Sequence, residues 1–114
     1  MNKLKQEKKE RNKKDREWRK LVLESCNFKC VICGATIRPN AHHIIPRNFK
    51  ETRWDVNNGI ILCPKHHKFG KFSAHKNGLW FIKFLQEHDR FKYNHLINKL
   101  KELDGYYNQN SIGS

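Results

Sequence analysis

Two short-spaced pairs of side chains, Cys30-x-x-Cys33 and Cys63-x-x-His66, constrain this chain more than any other feature. Each pair makes a tight turn that presents two donors to one ion, and four such donors close a tetrahedral zinc shell. A closed shell leaves no position for water, so an ion held this way is structural. The insert between Cys33 and Cys63 is much longer than the linker of a DNA-reading zinc finger. It is long enough for a two-stranded hairpin whose base the ion would clamp. Cys26 is poorly spaced to pair with Cys30 and reads as a buried free thiol. A thioredoxin-like redox role for Cys30 and Cys33 is disfavoured, because no βαβ pattern flanks them and the second pair would have no task.

The 114 residues suggest one domain, or a domain with an arm. Small domains bury little surface and often rely on a metal or disulfides as a staple. The opening MNKLKQEKKERNKK lacks the apolar core of a signal peptide, which places the protein in the cytoplasm, where cysteines serve as ligands more often than as disulfides. No stretch approaches the roughly 18 apolar residues of a membrane span. The 24 Lys and Arg against 11 Asp and Glu give a net charge of +13. Such an excess favours a polyanionic partner, with simple solubility as the bland alternative. Membrane-surface binding is disfavoured, because the basic N-terminal stretch has no broad apolar face.

Residues 1–25 read as a basic helical arm, rich in Lys, Glu, Arg and Gln and free of Gly and Pro. Only its end carries an apolar stripe, Trp18, Leu21 and Val22, expected to dock on the core. Ten of the first 20 residues are Lys or Arg, so the arm suits a phosphate backbone, or is a solvated charged helix with no specific contact. Residues 26–77 form the metal module. Ala41 to Ile45 reads as a short strand ended by Pro46, residues 47–58 as a polar loop, and Ile60 to Leu62 as a second strand. Pro64 then opens a helix to about Gly70. Residues 78–104 read as two helices packing on the module through Phe81, Phe84, Leu85, Leu96, Leu100 and Leu103, with a break near His88-Asp89-Arg90. Residues 105–114 read as a polar, disordered tail. The fold class is therefore a small metal-stapled α+β domain with flanking helices.

A second cluster lies on the same frame, since five of the seven histidines fall between residues 42 and 75. His42 and His43 are neighbours on a strand and point to opposite faces. His66 and His67 sit about 100° apart on a helix, so one can serve the zinc while the other faces elsewhere. His67 and one of the 42/43 pair are thus candidate ligands of a second ion. The remaining histidine, left beside that ion, is suited to act as a general base.

These residues resemble the HNH endonucleases, a family with a ββα-metal fold. The resemblance lies in CVICG at 30–34, AHHIIP at 41–46 and NGIILCPKHH at 58–67, and phage-borne members share the further run KFSAHKNG. It implies that His42 ligates a catalytic ion, that His43 activates water, that Asn58 fixes the loop orienting that histidine, and that His67 is the second protein ligand. Some members carry a third ligand four residues later, where this chain has Lys71. His75 is the alternative, provided that the chain turns at Gly70. His66 stands where the family usually has its last knuckle cysteine. The implied activity is metal-dependent hydrolysis of DNA, double-stranded above all, with Arg47, Arg53 or Lys68 supplying positive charge to the transition state. Imidazole ligands favour Mn²⁺, Ni²⁺ or Co²⁺ over Mg²⁺ as the catalytic ion, beside the structural Zn²⁺. A base that must be neutral predicts cleavage fading below about pH 6. The competing readings are a non-catalytic zinc-stapled nucleic-acid-binding module and an interaction module among phage packaging or other DNA-processing proteins in the host cytoplasm.

Overall fold

A computed structural model describes residues 2–112, of which 106–112 are described by backbone only. The elements are α1 (Asn2–Ser25), β1 (Asn40–His43), β2 (Gly59–Leu62), α2 (Gly78–His88) and α3 (Arg90–Ile112), with a short 3-10 turn at Val56–Asn58 and a wide helical turn at Lys65–Phe69. β1 and β2 pair antiparallel, with His42 opposite Ile60 and His43 opposite Gly59. This is the expected α+β arrangement, a two-stranded sheet flanked by helices.

All four residues of β2 are buried because the strand is covered on both faces. Ile60 and Leu62 join Cys30, Cys63, Phe81 and Leu85 on the α2 side. Ile61 joins Trp18 and Val22 on the α1 side. The alternation of side chains along a strand therefore divides the module into two small cores with one shared wall. It also sends His42 toward α2 and His43 toward α1.

Helix α1 comes unusually close to the sheet, and Gly59 permits it. A Cβ at Gly59 would collide with Val22 and lie 2.7 Å from Trp18 Cζ2. The docked end of α1 is narrower than its apolar stripe suggests, since Leu21 is exposed while Trp18 and Val22 are buried. Asp15 extends the contact by polar means: its carboxylate accepts from Arg53 Nε at 3.0 Å and Nη2 at 2.8 Å, and from Trp54 Nε1 at 2.9 Å. The Arg53 bonds, foremost among several causes, hold the Asp15 carboxyl below its ordinary pKa. A depressed carboxylate stabilises the fold above its unfolded pKa, and that contribution disappears as the pH falls through the native value. The melting temperatures of the protein and its Asp15→Ala variant are thus expected to differ at neutral pH and to converge in acid; an equal gap at every pH would refute the role given to this carboxylate.

The break between α2 and α3 falls at Asp89, whose side chain caps Lys92 N at 3.1 Å. Two side chains of α3 then reach the start of β2 and the loop before it. Lys92 Nζ donates to Gly59 O at 3.1 Å, and His95 Nε2 lies 2.7 Å from Asp55 Oδ2. Leu96 and Leu103 are buried, whereas Leu100 is exposed. α3 continues to Ile112, beyond the Asp104 boundary at which the polar composition suggested a disordered tail; residues 113 and 114 of that expected tail lie outside the described residues. Among the described residues no helix is long and apolar enough to cross a membrane.

Candidate functional site

The first cluster is a set of four donors. The ligating atoms of Cys30, Cys33, Cys63 and His66 all lie within 4.8 Å of one another. Cys33 Sγ is 3.7 Å from Cys63 Sγ, and His66 Nδ1 is 3.3 Å from Cys63 Sγ and 3.8 Å from Cys30 Sγ. Tetrahedral zinc with metal–sulfur bonds near 2.3 Å spaces its sulfurs about 3.8 Å apart, so the donors fit such an ion. The local chain explains why they converge. Gly34, with φ +75°, closes the first turn, and its N–H bonds Cys30 O at 2.8 Å. Val31 N–H bonds Ile61 O at 3.0 Å, hanging that turn on β2. Burial works against ionisation of Cys30, but the amides of Cys63, Cys33 and Ile32 outweigh it and lower the thiol's pKa. Such donors favour the thiolate that binds metal. Cys26 stands apart beside Ser25, half-buried rather than fully buried.

The second cluster is His42, His67 and His75, whose ring nitrogens also lie within 4.8 Å of one another. His67 Nε2 and His75 Nε2 are 3.2 Å apart. Two imidazoles on one ion, with bonds of about 2.0–2.1 Å, place their nitrogens about 2.8–3.0 Å apart in octahedral and about 3.3–3.4 Å apart in tetrahedral geometry, values that bracket this separation. His75 gets there because the chain doubles back after Gly70, whose backbone is extended. Ala74 N–H then bonds His66 O at 2.8 Å and His75 N–H bonds His67 O at 3.0 Å. On a continuous helix His75 would lie about 12 Å along the axis from His67. Burial, reinforced by the charges of His67 and His75, pushes the pKa of His42 down to about 3. Burial and the neighbouring His75 bring His67 down to about 4. Both rings are therefore neutral donors at pH 7, the form that binds a metal.

His43 occupies the other face of β1. Its ring lies flat on Trp18, with centroids 3.8 Å apart and planes within 6°. Its Nε2 is 2.9 Å from Arg53 O, an acceptor, so Nε2 carries the proton and Nδ1 is the basic nitrogen. Burial lowers its pKa, an effect partly offset by the Arg53 bond.

Asn58 is fully buried and touches neither cluster. Its Oδ1 accepts from Ile45 N at 2.6 Å, and its Nδ2 donates to Ile45 O at 2.9 Å and Thr52 O at 3.1 Å. It thus ties the start of the loop that carries Arg53 to residue 52, one position before the carbonyl on which His43 rests.

A cleft of about 720 Å³ opens over these groups, lined by His42, His43, His67, His75, Arg47 and Lys68 among others. Two of the three cations expected to meet phosphate thus face it. Arg53 is placed differently, with its guanidinium committed to Asp15 and its carbonyl to His43. Asp15 and Trp18 are neighbours of the site that sequence reasoning does not find. The apolar stripe marks Trp18 as buried, but nothing local marks its partner as a histidine 25 positions on.

No curated protein and no solved structure matches the chain. The family model described as HNH endonuclease matches residues 30–82, a stretch that takes in both pairs of knuckle ligands, His42, His43, Asn58, His67 and His75. With that match over a two-stranded sheet, a wide turn and a convergent Cys/His cluster, residues 30–82 belong to the HNH endonuclease family.

Proposed function

We propose that the protein is a metal-dependent endonuclease hydrolysing phosphodiester bonds of double-stranded DNA. In this reading a structural Zn²⁺ sits on Cys30, Cys33, Cys63 and His66. His42, His67 and His75 hold one catalytic divalent ion, His43 is the general base, and Asn58 is a positioning residue. The observation that carries the reading is the bond from His43 Nε2 to Arg53 O, which leaves Nδ1 as the basic nitrogen of a residue that lines the cleft with three further imidazoles.

When bound, a divalent ion on those imidazoles supplies Lewis acidity to a phosphate oxygen and to the leaving 3′ oxygen. The chain does the rest. His43 Nδ1 takes a proton from the attacking water, and the Nε2–H held by Arg53 O steadies the imidazolium that forms. In-line attack on phosphorus then leaves a 5′ phosphate. Arg47 and Lys68 add positive charge to the cleft where the transition state gains negative charge. The KFSAHKNG run supports a phage DNA-processing context in the host cytoplasm.

Zinc-loaded protein incubated with supercoiled plasmid is expected to nick or linearise it when Mn²⁺, Ni²⁺ or Co²⁺ is added, less readily with Mg²⁺, and not in metal-free buffer. Plasmid left supercoiled under all four ions would end this reading and leave a zinc-stapled DNA-binding module in its place.

Helix α1 supplies the surface for the rest of the duplex. Lys5, Lys9, Lys13, Arg16 and Lys20 are exposed and recur every three or four residues, which aligns them on the side opposite Trp18 with no carboxylate among them. The row extends about 22 Å, over which a duplex carries one charge per ~1.7 Å. Replacing all five by glutamine is expected to flatten the dependence of log K on log salt by about 0.9 for each phosphate that is no longer neutralised. Binding measured in metal-free buffer across a salt series checks this; an unchanged slope would remove α1 from the interface.

A further inference from the structure

The imidazole of His43 is held by α1, which lies wholly outside the stretch that matches the family. Trp18 covers one face of the ring, and its indole N–H is itself fixed on Asp55 O at 2.8 Å. Asp15, one helical turn earlier, grips the Arg53 side chain through two nitrogens and the Trp54 indole through a third. The Arg53 carbonyl in turn receives His43 Nε2–H. Asn58 fixes residues 45 and 52, and so ends one residue short of that carbonyl. The next two residues, 53 and 54, are held through Asp15. Stacking fixes the plane of the imidazole and the carbonyl fixes its rotation within that plane. Both constraints run back to one turn of α1.

We propose that Asp15 and Trp18 are positioning residues for the general base, so that the active site includes a helix that the family-matched segment lacks. The proposal rests on the reading of His43 as the base. Neither residue touches substrate. Trp18 aligns the ring directly, and Asp15 acts through Arg53. Misplacement of a reacting group by about 1 Å can cost about 10²-fold in rate, so removal of one of two constraints should be felt in turnover. The effect on kcat separates this role from an electrostatic one. Removing the Asp15 carboxylate raises the net charge, which favours DNA binding. A purely electrostatic Asp15 would therefore lower KM and leave kcat alone.

The test compares the full-length, zinc-loaded protein with Asp15→Ala and Trp18→Phe, each first shown to be folded and to retain zinc. Trp18→Ala is avoided because emptying a buried indole site threatens folding. Plasmid nicking and imidazole NMR are both recorded. For Asp15→Ala we expect kcat about tenfold lower, KM unchanged or reduced, and faster solvent exchange of the His43 Nε2 proton. Trp18→Phe keeps an aromatic face on the ring and is expected to stay within about threefold of the parent kcat. A folded Asp15→Ala variant with parental kcat and parental proton exchange would overturn the proposal. If the parent protein cuts no DNA under any ion, the base assignment fails separately, and the proton-exchange comparison alone decides whether α1 holds the ring.

Discussion

Replacing His43 by alanine is expected to abolish plasmid cleavage at the level of about 10²- to 10⁴-fold, the usual worth of a general base. At 1.36 kcal/mol per decade this is about 3–5 kcal/mol of transition-state stabilisation. The substitution should leave the fold standing. His43 is only partly buried, and its ring meets the α1 side while the four knuckle donors lie beyond the opposite face of the sheet. Zinc content, circular dichroism and DNA affinity in metal-free buffer should therefore match the parent, and the deficit should fall on kcat. Normal cutting by a well-folded His43→Ala protein would remove the base from the mechanism. His42→Ala gives a different signature, because an imidazole missing from the three-histidine cluster should raise the concentration of Mn²⁺ needed for activity.

Removing the four-donor ion should have the largest effect on stability. Structural zinc sites contribute an apparent binding free energy of about 10–16 kcal/mol, comparable with or above the whole stability of a small domain. Here Cys30 and Cys63 belong to the same buried cluster as Leu62, Phe81 and Leu85. Emptying the site takes away the tie between the first knuckle and the end of β2, and it leaves the Cys30 and Cys63 thiols without their shared ion inside an apolar cluster. Stripping zinc with a strong chelator, or replacing Cys63 by serine, is expected to abolish cooperative thermal unfolding. Metal analysis beside a circular-dichroism melt would show it. A metal-free protein that melts cooperatively at the parental temperature would show that the ion is not structural.

The parts of the fold that could be read in the sequence depend on neighbours in the chain. The two knuckles announce themselves by spacing, His42 and His43 part company because strand side chains alternate, and the α2–α3 break sits at a capping Asp89. Leu21 and Leu100 misled for a related reason: helical periodicity marks a stripe but does not say how wide the partner surface is, and here both side chains sit exposed at its margin. What stayed hidden depends on distant partners. Arg53, set in a polar loop, reads in the sequence as a phosphate-binding cation on an open surface. Its charge is instead satisfied by Asp15, a residue on a helix that composition alone marks as a solvated arm. The return of His75 to His67 was legible only as a condition on Gly70, since bonds between residues eight apart leave no periodic trace. Polarity past Asp104 predicts a disordered tail, whereas helical backbone continues to Ile112.

Because β2 is a wall shared by two cores, the boundaries of the family match are poor boundaries for a protein fragment. Trimming the gene product to residues 30–82 would keep the four knuckle donors and every histidine of the cleft. It would also strip Trp18 and Val22 from Ile61, baring that strand face together with Ala41, Trp54 and Val56. A freshly exposed oily surface on so short a polypeptide invites self-association. Anyone expressing the family-matched piece alone should expect inclusion bodies, and should begin upstream of Asp15 to recover soluble material.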